Sequence, residues 1–326
     1  MLTRRLALAS LAAAAARPAR AQSATRLRIS TAAPPSDFLP KALEQMKTTL
    51  DAGQTGLSLE IYPGGSLFKQ GTEVPALQRG TLEMSTMTTF EVAQQIPDYG
   101  LFNRGYLFRD HDHMRRVFDG SIGETYRRMV ADKMGIIILA TAYLGTRQVN
   151  LRRRRGVLLP DDLTGVKMRM TPGPEWLLLG RTLGVSPVPM GMGEVYLALK
   201  TGTIDGQENP LSIMNAAKFY EITEQVIMTS HLLQPVFINI AAPVWNKLTP
   251  AQQAALQAAA QAAATANDTA RLADEKTVAA NLASQGLSVD TPDLDAFRAH
   301  ADEIYAASDY AKAWNADVLK QVQALT

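Results

Sequence analysis

Short apolar runs alternate along the chain with stretches in which apolar residues recur every three or four positions, the mixed pattern of an α/β protein. Residues 27–30 predict a first strand, followed by a Pro34-Pro35 turn and a helix over about 39–50. Residues 57–62 predict a second strand ending in Pro63-Gly64-Gly65. A helix over 72–79 stops at Gly80, and 82–86 forms a third strand. The helical pattern of 121–134 is broken by Gly135, and the continuous apolar run 136–140 has the look of a strand buried on both faces. Further strands are expected at 166–170, 226–228 and 237–241, and further helix in the tail from Asp293.

Two features argue for a bilobed body. Strand-rich patterning resumes at Arg147, after the first block already has strands enough for a sheet. Residues 251–284 then form one alanine-rich helical pattern, with Thr249 as N-cap, Pro250 at the first helical position and Gly286 as the stop. A helix of that length, roughly 50 Å at 1.5 Å per residue, can brace both lobes.

At the N-terminus, Arg4 and Arg5, the eleven-residue apolar run 6–16 and Ala19-Arg20-Ala21 have the layout of an export signal over residues 1–21, of the Sec or the twin-arginine kind. Eleven residues are too few to span a bilayer core, which takes about 20. The formal net charge is +2, but four arginines belong to this segment. Without them 29 basic residues face 31 acidic ones. So neutral a mature chain is not built around a nucleic-acid backbone. With no cysteine there is no disulfide, thiolate metal site or cysteine nucleophile.

Catalytic constellations are thin. Asp110-His111-Asp112-His113 has the residue types of a metal site but no companion cluster at ligand spacing, and reads as a helix start. No G-x-S-x-G elbow or G-x-G-x-x-G loop occurs, and Asp161-Asp162 follows Pro160 in what reads as a turn opening a helix. The run 152–155 is four arginines, either a solvated loop or a docking surface. Arg147 follows Gly145-Thr146 at the end of an apolar strand, and Arg169 alternates with Met168 and Met170. A buried arginine wants a carboxylate for its planar fork; from the pattern alone each is either a surface ion-pair partner or a ligand clamp.

Four ordered motifs go further: GTRQ at 145–148, LTGVKMRM at 163–170, PVPMGMGEVYLAL at 187–199 and TIDGQENP at 203–210. With Ile61-Tyr62-Pro63, the segment 78–83 and Leu248-Thr249-Pro250, they make the chain resemble the solute-binding proteins of tripartite ATP-independent periplasmic (TRAP) transporters along its whole mature length. The resemblance implies a two-lobed α/β fold with crossover strands and a brace helix, lobe I being 22–144 plus about 235–274 and lobe II 145–234 plus about 275–326. It implies a periplasmic protein that is not an enzyme and needs no cofactor or metal; some relatives dimerise through an extended final helix, and the tail up to Thr326 looks too short for that, so a monomer is expected. Such a protein captures a small organic acid and hands it to integral-membrane TRAP permease subunits. Arg169 is then the main salt bridge to the substrate carboxylate, Arg147 a second contact, and Asn209 a hydrogen bond to the same group. Glu208 is expected to hold the hinge. Met192 stands where some relatives place a stacking aromatic residue. Thr88 and Thr89 fall where relatives place a polar or acidic specificity residue, and Ala32, Ala33, Ser36 and Asp37 where the first strand meets the cleft. Trp176 either lines the cleft or caps the second-lobe core. The competing readings are an ABC-type or sensor-coupled receptor of the same shape, and a secreted α/β hydrolase or lyase.

Overall fold

The computed structural model describes residues 24–325; the export signal expected over residues 1–21 lies outside them. Its strands are β1 (Thr25–Ser30), β2 (Leu57–Tyr62), β3 (Met84–Thr88), β4 (Ile136–Leu151), β5 (Lys167–Met170), β6 (Ser186–Pro189), β7 (Gly206–Pro210), β8 (Gln225–Ala241) and β9 (Ser288–Asp290). They join edge to edge in the order β2-β1-β3-β8-β4-β7-β5-β6, with β9 on β8 off this path. β1 lies parallel to β2 and β3 in one lobe, and β5 parallel to β6 and β7 in the other. The long antiparallel pair β4 and β8 belongs to both. β8 pairs with β3 through Val236–Ile240 and with β9 through Gln225–Ile227, while β4 pairs with β7 only from Arg147 onward.

The strands expected at 226–228 and 237–241 are therefore two ends of one strand, and the run 136–140 continues through Arg147. Gly145 and Pro235 interrupt the apolar pattern without ending the ladder: Tyr143 pairs with Pro235 and Gly145 with Gln234 across a register shift. The backbone groups of Tyr143 are met from the helix Pro250–Glu275. Its N–H donates to Asp268 Oδ1 (2.7 Å), and its carbonyl accepts from Asn267 Nδ2 (2.8 Å). Gly145 sits at φ 125°, where a Cβ would come 2.6 Å from Pro210 Cβ, so only glycine fits this crossing.

The brace helix is also shorter than the pattern suggests: Pro250–Glu275, 26 residues and roughly 39 Å, then a separate helix Val278–Ser284. The two segments serve different cores, which is why they part without a glycine or proline. Leu256, Ala259, Ala260, Ala263 and Ala264 pack on the core under β1 and β8, whereas Val278 and Leu282 join the second-lobe core with Val195, Leu199 and Phe219. At its far end Arg271, buried, pairs with Asp37 (2.7 Å) and donates to Ser212, tying the loop after β1 to the segment after β7. The tail is three short helices, Leu294–Ala307, Asp309–Lys312 and Ala316–Ala324, capped by Asp293, Ser308 and Asn315.

Candidate functional site

The strand ends of the two lobes face each other across a cavity enclosing about 610 Å³ of empty space, its mouth included. It opens where ligands collect in α/β folds, beyond the carboxyl ends of the parallel strands. Thr31–Pro34 follow β1, Thr88 ends β3, Thr171 follows β5, and Asn209 sits near the end of β7. The crossover strands supply the floor through Leu144, Arg147, Gln234 and Val236.

Arg147 and Arg169 both line this cavity, 3% and 1% exposed. Arg147 lies over Trp176 at 4.7 Å and is neutralised by Glu208. Its Nε and Nη2 reach the Glu208 carboxylate, Nη2 also donates to the Glu208 carbonyl (2.6 Å), and Nη1 donates to Gln234 Oε1 (2.7 Å). Four of its five N–H groups are thus in use, leaving one. Glu208 is fully buried. Burial alone would raise its pKa, but Arg147 and a hydrogen bond from His231 outweigh that and hold it below the usual carboxylate range. His231 is pushed down mainly by burial, so it stays neutral at pH 7. Its Nε2–H then donates to Glu208 (3.1 Å), and Nδ1 accepts from Thr229 (2.8 Å). Glu208 is thus fully served where β4 and β7 meet.

Arg169 is different. On β5 between Gln207 and Val188, it turns away from Met168 and Met170, which enter the core with Trp176 and Leu179. Its Nε donates to the Met190 carbonyl (2.8 Å) and Nη2 to Gln70 Oε1 (3.0 Å). No carboxylate of the described residues pairs with it, and three N–H groups remain without a protein acceptor. Burial lowers its pKa to about 10, so it is still a cation at pH 7. A desolvated charge without a counter-ion is costly unless something else supplies one.

The other expected positions divide. Asn209 and Met192 both line the cavity. The Asn209 amide donates to Gln207 Oε1 (2.6 Å) and points its other N–H at the Met192 sulfur (3.9 Å), a weak acceptor. Trp176 both lines the cavity and belongs to the second-lobe core, with its Nε1 buried and without a partner among the described residues. Thr88 lines the opposite wall as the N-cap of the helix Thr89–Gln95. Thr89 does not reach the cavity: its side chain turns inward and donates to Asn103 Oδ1 (2.7 Å). Ala32 and Ala33 line the cavity, but Ser36 bonds the Ala216 carbonyl and Asp37 is taken by Arg271.

Sequence reasoning passed over Gln70, Glu73, Glu91 and Gln234, all on the cavity wall. Gln70 Oε1 accepts from Arg169 and from the Met192 N–H (3.0 Å each), a direct link between lobes. Glu73 opens a helix and Glu91 completes the capping box of Thr88, so in sequence both pass for ordinary helix-start acids.

Away from the cleft, Asp110 caps the helix His111–Asp119, His113 Nε2 meets the Val322 carbonyl (2.9 Å), and Asp162 accepts from the N–H groups of Leu158 and Leu159. Among the described residues no group of three His, Cys, Asp or Glu could hold a metal ion, and no helix is long and apolar enough to cross a membrane.

The model of the bacterial extracellular solute-binding protein family 7 matches residues 29–312. The chain belongs to this family. Its relatives are TRAP-type solute-binding proteins, which are periplasmic. The family-7 chain superposes on a TRAP solute-binding protein of Roseobacter denitrificans, solved with 3-deoxy-D-manno-oct-2-ulosonic acid, with a TM-score of 0.89 at 39% identity, covering 93% of this chain and 99% of that one. A Polaromonas protein bound to D-erythronate gives 0.86 at 27%, covering 93% and 99%. The sialic acid-binding periplasmic protein SiaP of Vibrio cholerae is 29% identical over 93% of each chain.

Proposed function

We propose that this family-7 protein captures an organic acid in the interlobe cavity, with Arg169 as the counter-ion of its carboxylate, and delivers it to a TRAP permease. The single observation that carries the reading is the Arg169 guanidinium: buried, cationic, facing the cavity, and lacking an acid partner among the described residues. A carboxylate accepts two parallel N–H bonds from one guanidinium, and three N–H groups are free to give them. The remaining N–H of Arg147 and the Asn209 N–H now spent on sulfur complete the headgroup site. The acids solved or named with the relatives, among them 3-deoxy-D-manno-oct-2-ulosonic acid, D-erythronate and sialic acid, are of this class.

Capture proceeds by closure. The lobes expected over 22–144 with about 235–274 and over 145–234 with about 275–326 would close about crossings that face each other, since Gly145 pairs with Gln234. Ligand favours the closed state through the contacts it makes only there, and exclusion of water strengthens each charged contact. The protein binds and releases without turnover, and residues 1–21 direct its export. A thermal-shift screen of organic acids, each beside its methyl ester, tests this: free acids raise Tm and esters do not. Esters that stabilise as well as acids would refute carboxylate capture.

A further inference from the structure

The lobe I wall carries two carboxyl groups that carboxylate capture does not use. Glu73 is 3% and Glu91 6% exposed, both line the cavity, and neither forms an ion pair among the described residues. Glu91 Oε2 is occupied, accepting the N–H and the hydroxyl of Thr88 at 2.8 Å each. Glu73 Oε2 is buried with no hydrogen-bond partner among the described residues. Burial first, and the neighbouring Glu91 second, raise the Glu73 pKa to about 8. The hydroxyls of Thr31 and Thr86, bonded to each other at 2.7 Å, lie on the same wall.

The charges around the cavity can be counted. Arg147 and Glu208 cancel, so among the described residues lining the cavity Arg169 is the one cation left for ligand, and one carboxylate neutralises it. A second carboxylate on the same ligand would find no cation and would face desolvated carboxyls instead. We propose that Glu73, backed by Glu91, is a specificity-determining residue that hydrogen-bonds a hydroxyl on the body of the bound acid and rejects acids bearing a second carboxylate at that end. The inference rests on the carboxylate reading of Arg169 and narrows it to hydroxylated monocarboxylates. A hydroxyl offers one donor and two acceptors, so it satisfies the unpartnered oxygen whether or not Glu73 carries a proton. A carboxylate brings a charge that meets no cation on this wall, so its desolvation goes uncompensated, and any charge that Glu73 takes up repels it as well.

Calorimetry on matched pairs tests this at pH 7, with D-galactonate against galactarate and D-erythronate against meso-tartrate; within each pair the far-end CH₂OH is replaced by a carboxylate. The monoacid is expected to bind at least tenfold tighter, and Glu73→Gln to shrink that ratio at least threefold by weakening the monoacid and admitting the diacid. Equal affinities in the native protein, or a ratio unchanged in the variant, overturn the assignment. If the variant does not fold, the native comparison alone decides. A third pair, 4-hydroxybutanoate against 4-aminobutanoate, adds a further arm, because tighter binding of the ammonium acid overturns the choice of a hydroxyl. Failure of the underlying reading looks different: methyl esters would then bind as well as the acids, whatever their far ends.

Discussion

Arg147 and Arg169 are buried to the same degree in one cavity, yet one is saturated and the other is not. Arg147 lies against a buried acid, which is itself served by a histidine, and has one N–H to spare. Arg169 has a carbonyl and an amide for company and three N–H groups unspent. Burial alone therefore does not separate a structural arginine from a binding one; the charge it faces does. The Arg147 group holds the crossover of β4 and β7 together, and on the proposed reading the Arg169 group takes its counter-ion from the bound acid.

This contrast breaks first at Glu208. Glu208→Ala leaves Arg147 buried and unpaired and should cost about 3–5 kcal/mol of stability, read as a lower urea midpoint. Arg169→Ala removes an uncompensated charge, so the same assay without ligand should show no comparable loss. If both variants unfold alike, the two arginines are not distinct. A finer cut is Arg169→Lys, which keeps the charge and loses the fork. Affinity should fall at least tenfold, about 1.4 kcal/mol, with the urea midpoint unchanged. Calorimetry showing native affinity would mean that a point charge suffices.

Acid groups on the lobe I wall make a pH signature. Glu73 titrates near 8 in the folded protein and near the ordinary glutamate value when unfolded. The folded state therefore holds its proton longer, and this contribution to stability is present below about pH 4.5 and lost as pH rises to 8. Glu175, raised by burial to about 7, acts in the same direction. The Tm should decline from pH 5 to pH 8, less steeply in Glu73→Gln; parallel profiles would remove Glu73 from that role. The smallest effect is expected from Trp176→Phe, which trades the best aromatic face under Arg147 for a poorer one and should cost about 0.5–1 kcal/mol.

Much of the fold was legible because its signals are local. The alternation at β1, β2 and β3 and the Thr249-Pro250 helix start are readable from short windows. β4 and β8 were not read at full length, because Gly145 and Pro235 interrupt the local pattern while the ladder between the two strands continues. The brace helix divides after Glu275 because two cores pull on it, which no window of sequence records. At the cleft, GTRQ and KMRM drew attention to both arginines. Their division of labour depends on the register that sets Gln148 against Asn209 and so brings Glu208 beside Arg147, a relation between segments some sixty residues apart. Glu73 and Glu91 escaped for the opposite reason. Each satisfies a local rule for helix starts so well that nothing in sequence marked it as part of a wall.

The central claim is that the Arg169 guanidinium receives its counter-ion from the bound acid. Calorimetric titration of the best acid from the thermal-shift screen into Arg169→Ala, beside the native protein, tests it most directly. The account predicts at least a hundredfold loss of affinity, the scale of removing one partner of a buried pair; affinity equal to the native protein's would contradict it.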